Sequence, residues 1–117
     1  MVNLMKIIKT LIAATLLCVS LSAAGQGRIV SQAYELQLSD FRAPATENGG
    51  AAFKECSDCT RRIVRVTSGT RYAVNGQSLS LAKFREAIAQ ASDRDEKSVT
   101  VLHHLESDTI VSIDVYI

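Results

Sequence analysis

The stretch RIVRVTSGTRYAV, Arg62–Val74, decides the fold. Two β-branched or aromatic runs, Arg62–Thr67 and Thr70–Val74, flank the turn signal Ser68-Gly69 and predict a hairpin. A three-residue loop aligns Val64 and Val66 with Tyr72 and Val74 on one apolar face. Burying four such side chains at about 1.5–3 kcal/mol each outweighs the turn preference that a two-residue loop would satisfy.

Downstream, Asn75-Gly76 ends the strand, and Leu81, Phe84, Ile88 and Ala91 then recur at helical spacing with Lys83, Arg85, Glu86 and Gln90 turned away. Ser80 stands where a side-chain oxygen can cap the first turn, so the helix is expected to start there. Ser92–Ser98 is a charged, solvated connection. Val99–Leu105 and Thr109–Ile117 flank Glu106-Ser107-Asp108 as a second hairpin, with Val111, Ile113, Val115 and Ile117 alternating against Ser112, Asp114 and Tyr116.

Upstream, Gln32–Leu38 alternates as a strand, while Ser39–Glu55, with Pro44 and Asn48-Gly49-Gly50, predicts a long loop. The expected fold class is α+β: a small antiparallel sheet of two hairpins with one helix on one face, in the order β-β-α-β-β after an N-terminal strand and a long loop. The expected division is a leader over 1–24, an N-terminal strand and flexible loop with a C-x-x-C motif over 25–59, and the core over 60–117.

The leader follows from Lys6 and Lys9 before the apolar run Thr10–Leu21, which ends in Ser22-Ala23-Ala24. That is the three-part plan of a signal peptide, and an apolar core of about a dozen residues falls short of the roughly 20 that span a bilayer. Cleavage is expected after Ala24, removing Cys18 and leaving no stable membrane span. The chain is then exported, to the periplasm or beyond. With 13 basic and 12 acidic side chains in 117 residues, it is one small domain without the charge excess of a nucleic-acid binder.

TRYAVNGQSLSLAKFREAI (70–88) resembles the strand, N-G turn and helix that open the periplasmic domain of TolR-type energy-transducing proteins. The whole chain is similar to small exported proteobacterial proteins with HHLESDTI (103–110) in their last hairpin. That second similarity implies export and no particular activity; no function is carried over from the first.

Cys56-Ser57-Asp58-Cys59 is the motif with a chemical reading. Two thiols three positions apart close a tight disulfide, the favoured reading in an oxidising compartment, or form a redox pair or a soft-metal site. A c-type haem is excluded because Thr60 stands where C-x-x-C-H requires His. His103 and His104 are minor candidates for completing a metal set with Cys56 and Cys59, but successive strand side chains point to opposite faces. Arg61, Arg62, Arg65 and Arg71 gather as a basic strand face without interleaved aromatics beyond Tyr72, so nucleic acid is not expected. No phosphate loop, nucleophile elbow or H-E-x-x-H helix is present, and no cofactor is expected. The expected function is a non-catalytic exported module that binds an envelope or extracellular protein or ligand through its sheet or its loop, strand addition at an edge such as Val111–Ile117 being one such mode. The alternative is a dithiol redox or metal-carrier protein using Cys56 and Cys59.

Overall fold

Tyr34 and Phe53 lie on strands separated by three others in one sheet, yet their ring centroids are 5.3 Å apart. Four steps of strand spacing would hold them about 19 Å apart in a flat sheet. The sheet is therefore rolled. A computed structural model describes residues 30–117; the expected leader, Cys18 included, lies outside the described residues.

Eight strands, β1 (Ser31–Gln37), β2 (Phe41–Arg42), β3 (Gly50–Phe53), β4 (Arg62–Arg65), β5 (Arg71–Val74), β6 (Gln77–Leu79), β7 (Ser98–His104) and β8 (Thr109–Tyr116), form one sheet with a single α-helix, α1 (Leu81–Gln90). The architecture is mixed α+β. The path across the sheet is β1-β7-β8-β4-β3-β2, and its two end strands are joined by one 3-10 turn, Leu38–Asp40. Taken as five chain segments (β1–β2, β3, β4–β5, β7, β8), neighbours run first, second, third, fifth, fourth and back to first, with α1 between the third and fourth. This is the connectivity of the OB barrel, a five-stranded, partly open Greek-key barrel.

The two-hairpin layout expected from the sequence is not what forms. Arg62–Val74 does not fold back on itself: β4 and β5 run in the same direction along β8, pairing in parallel as Arg65 with Thr109 and Arg71 with Ser112. The six positions from Arg65 to Arg71 match only three on β8, and the surplus forms a turn in which Thr70 N–H donates to Thr67 O (3.1 Å). Ser68-Gly69 is a turn inside a broken strand. Val66, 0% exposed, stays in the core across the break. The hairpin belongs instead to Asn75-Gly76, both at positive φ, which joins β5 to β6 by pairing Val74 with Gln77 and Tyr72 with Leu79. Asn-Gly supplies the left-handed backbone that a two-residue hairpin loop requires.

Ser39–Glu55 is likewise not a loop throughout, because β2 and β3 pair antiparallel there and β3 pairs with β4. Phe41 and Phe53, paired across β2 and β3, are essentially buried, and Ala51, paired with Val64, is fully enclosed in the core. Gly50 has a steric cause: a Cβ at this position would lie 2.7 Å from Ile63 Cγ2.

The helix and last hairpin form where the sequence places them. Ser80 Oγ accepts from Lys83 N–H (3.3 Å), and Phe84 and Ile88 enter the core, where Phe84 meets the Tyr72 ring at 5.1 Å. In β8 a bulge opposite Leu102/His103 leaves Val111 without a partner. The bulge shifts the inward phase, so Ile110, Ile113 and Val115 are buried while Val111 is half-buried; Ile117, past the end of β8, is exposed. Since β8 is paired on both sides, Val111–Ile117 is not an edge for strand addition. No described helix is long and apolar enough to cross a membrane.

Candidate functional site

Along β4 the side chains alternate: Val64 faces the core at 3% exposure, while Ile63, at 75%, and Arg65 face outward. Arg61, just before β4, continues the outward set. Across the neighbouring strands Ile63 pairs with Ala52 and Ala52 with Arg42, while Arg65 pairs with Gly50 on one side and Thr109 on the other. The outer wall over β2–β4 is thus an exposed isoleucine on a floor of Gly50 and Ala52, framed by Arg42, Arg61 and Arg65. Arg71 follows on β5.

The electrostatics of this wall are uncompensated. Among the described residues, the guanidinium groups of Arg42, Arg61, Arg65 and Arg71 have no hydrogen-bond or ion-pair partner. No acidic residue occurs on β2, β3 or β4. Arg62, by contrast, turns inward and donates to Glu55 and to Tyr34 OH (3.1 Å), its guanidinium 5.6 Å from the Tyr34 ring centroid. The Glu55 carboxylate, and then the Tyr34 hydroxyl, hold the Arg62 pKa above its ordinary value. Of the four arginines grouped from the sequence, Arg61 and Arg65 frame the outer wall, Arg71 lies beyond it on β5, and Arg62 turns away from it. Arg42 escapes any grouping by sequence because it lies in Ser39–Glu55, a stretch without strand alternation. Ile63 carried a signal, since Arg61-x-Ile63-x-Arg65 alternates against Val64 and Val66.

Cys56 and Cys59 are joined at the tip of the β3–β4 connection, S–S 1.94 Å and Cα–Cα 5.0 Å, where Cys59 N–H also donates to Cys56 O (3.1 Å). Cys56 is exposed. The two histidines point to opposite faces, as strand geometry requires. His103, 2% exposed, enters the core with Nε2 2.7 Å from Asp108 Oδ1 and its ring 6.1 Å from that of Tyr34. His104 is half-buried on the outer side, its Nδ1 2.9 Å from Ser107 Oγ, which lies 2.7 Å from Thr109 Oγ1. These contacts span two or three residues and brace the β7–β8 turn. The described residues hold no cluster of three or more His, Cys, Asp or Glu able to take a metal ion, so Cys56, Cys59, His103 and His104 do not converge.

A shallow cavity of about 320 Å³ lies apart from the wall, between Ala45–Glu47 and the start of α1, with Arg85 at its side. Arg85 already donates to Ala45 O (3.1 Å). No family model, curated protein or solved structure matches the chain.

Proposed function

We propose that this chain is a non-catalytic exported binding module whose ligand seats on the outer wall of β2–β4. The observation that carries the reading is the set of guanidinium groups left without partners around Ile63. Three or four arginines held on one rigid wall repel one another, and an anionic ligand relieves that repulsion while forming charge-assisted, bidentate hydrogen bonds. An isoleucine three-quarters exposed amid them adds apolar contact at the centre of a polar rim, the layout of a binding patch. The OB connectivity supports the reading by analogy, since this wall and its flanking loops are where barrels of this kind take ligands.

Export rests on the leader, and its test is intact mass: the recovered protein is expected to begin at Gly25 and to appear outside the cytoplasm. Binding is tested by comparing what envelope extract deposits on the wild-type protein with what it deposits on a variant carrying Arg42→Glu, Arg61→Glu and Arg65→Glu. Material retained by the first and lost from the second supports the wall; identical retention overturns it. A second reading, dithiol exchange at Cys56 and Cys59, is favoured by the exposure of Cys56 at a hairpin tip, where a partner thiolate can reach it.

A further inference from the structure

Resting on the binding reading above, we infer that the occupant of the β2–β4 wall is an extended acidic polypeptide that sets carboxylates on Arg61 and Arg65 and an aliphatic side chain on Ile63. The geometry of one strand carries this. Ile63 and Arg65 project from alternate positions of β4 and Arg61, one residue before it, continues the exposed set, so neighbours stand about 6.7 Å apart where the chain stays extended. An extended peptide repeats its own same-face side chains at that interval. An acid, an aliphatic residue and an acid at alternate positions therefore meet guanidinium, isoleucine and guanidinium in register. Gly50 and Ala52 keep the floor beside Ile63 low, and Arg42, across that floor, can reach a third carboxylate.

Other polyanions fit less well, and the reason lies in where the aromatic rings are. The chain has three tyrosines and three phenylalanines. Tyr34, Phe41, Phe53, Tyr72 and Phe84 are buried in the core. Tyr116, the sixth, is paired opposite Ser98 at the far end of β8, seven positions from the Thr109 that adjoins Arg65. The wall thus offers no ring on which a base or a sugar can stack, and single-stranded nucleic acid depends on such platforms. An anionic bilayer would gain from the arginines, but one isoleucine gives little apolar area to insert. A peptide uses both features at once.

The test measures binding of the protein as recovered from cells to four probes. They are a capped peptide with Glu, Leu and Glu at alternate positions and Ser between them, a peptide of the same composition with the acids adjacent, oligothymidylate, and phosphatidylserine-containing vesicles. The alternating peptide is expected to bind about tenfold tighter than its rearranged partner. Ile63→Ala is expected to weaken it by about tenfold, and Arg61→Ala or Arg65→Ala by about fivefold to tenfold each. Ile63 and Arg65 are on the outer side of β4 and Arg61 is exposed just before it, and circular dichroism of each variant checks that the fold is kept. Oligothymidylate or vesicles binding more tightly than the peptide, with the same losses in the variants, would overturn the peptide assignment and leave the wall as the binding site. Peptide binding indifferent to all three substitutions would also overturn it. Failure of every probe to bind would remove the binding reading itself.

Discussion

Thr70 donates its buried hydroxyl to the main-chain carbonyl of Ile110 across 2.6 Å, and so ties the break between β4 and β5 to the strand both run beside. The same oxygen accepts from Thr67 N–H at 3.0 Å, so one side chain serves both ends of the turn. Thr70→Val keeps the shape but leaves a carbonyl and an amide without this partner. It is expected to cost about 1–3 kcal/mol, with Thr70→Ser recovering most of the loss. Thermal melts check this at roughly 4–8 °C per kcal/mol for a domain of this size. A valine variant as stable as wild type would mean that β8 pairing alone holds the break.

Tyr72 offers a change of the opposite sign. Its ring packs on Phe84, but its buried hydroxyl has no partner among the described residues. Tyr72→Phe removes the unpaired hydroxyl and keeps the packing, so it is expected to raise stability, by about 1 kcal/mol. Burial, and then the charge of Glu47, push the Tyr72 pKa above its ordinary value of 10.0. Above that value the unfolded chain sheds the phenolic proton before the folded one does. Stability is therefore lost as pH rises beyond about 10, and the phenylalanine variant should show a shallower alkaline decline in denaturant titrations.

What could be read from the sequence was local, and what could not was set by distant strands. The helix was legible because Phe84 and Ile88 share a face and Ser80 caps it, facts contained within eleven residues. The β7–β8 hairpin was legible for the same reason, except that the bulge at Val111 moves Ile110 inward and β8 ends before Ile117. The direction of Arg62–Val74 was not, since Val64, Val66, Tyr72 and Val74 alternate equally well in a hairpin or beside β8, whose residues lie some 40 positions on. β3 escaped because Gly50, Ala51 and Ala52 present no contrast between apolar and polar faces. Only the rolled sheet makes Ala51 core and Ala52 wall.

The site followed the same rule. Arg61, Arg65 and Arg71 could be grouped from one continuous stretch, whereas Arg42 joins them only through the pairing of β2 with β3 and β3 with β4. Alternation also put His103 and His104 on opposite faces, but it did not say which ring is buried, and Asp108 stood near both without being marked as the partner of either.

That partnership gives a third expectation. Asp108 lies at φ 52°, a left-handed conformation that Asp and Asn tolerate better than most residues. Its carboxylate faces His103 Nε2, while Nδ1 of the same ring, also buried, has no partner among the described residues. Asp108→Ala removes the ring's one hydrogen-bonding partner among the described residues and adds backbone strain, and is expected to cost about 2 kcal/mol. Asp108→Asn keeps both the backbone preference and a hydrogen-bonding oxygen, and should cost under about 1 kcal/mol. Denaturant midpoints for the two variants check the ordering. Equal losses would show that removing the charge, and not the contact, sets the cost.

The fourth concerns Cys56 and Cys59, where the structural and exchange roles differ in both energy and rate. A bridge closing so short a loop contributes about 2 kcal/mol by chain entropy. Replacing both cysteines by serine should lower the midpoint by roughly 8–16 °C without preventing folding. Two neighbouring contacts do not depend on the bridge: the turn bond from Cys59 N–H to Cys56 O, and the pairing of Arg62 with Glu55 and Tyr34. They should keep the β3–β4 hairpin closed in the reduced protein, so the thiols gain no special environment on reduction. An exchange protein would behave differently. Its bond would be reducible above about −230 mV, and one thiol would be alkylated rapidly below pH 7 because its thiolate is stabilised. Arg61, exposed and without a partner among the described residues, favours such a thiolate, while Asp58 inside the loop opposes it. The expected result is a low potential and slow alkylation. It is read by equilibrating the protein with glutathione buffers and timing iodoacetamide capture of the reduced form. A high potential together with a fast, acidic thiol would move the function of this chain from its arginine wall to its hairpin tip.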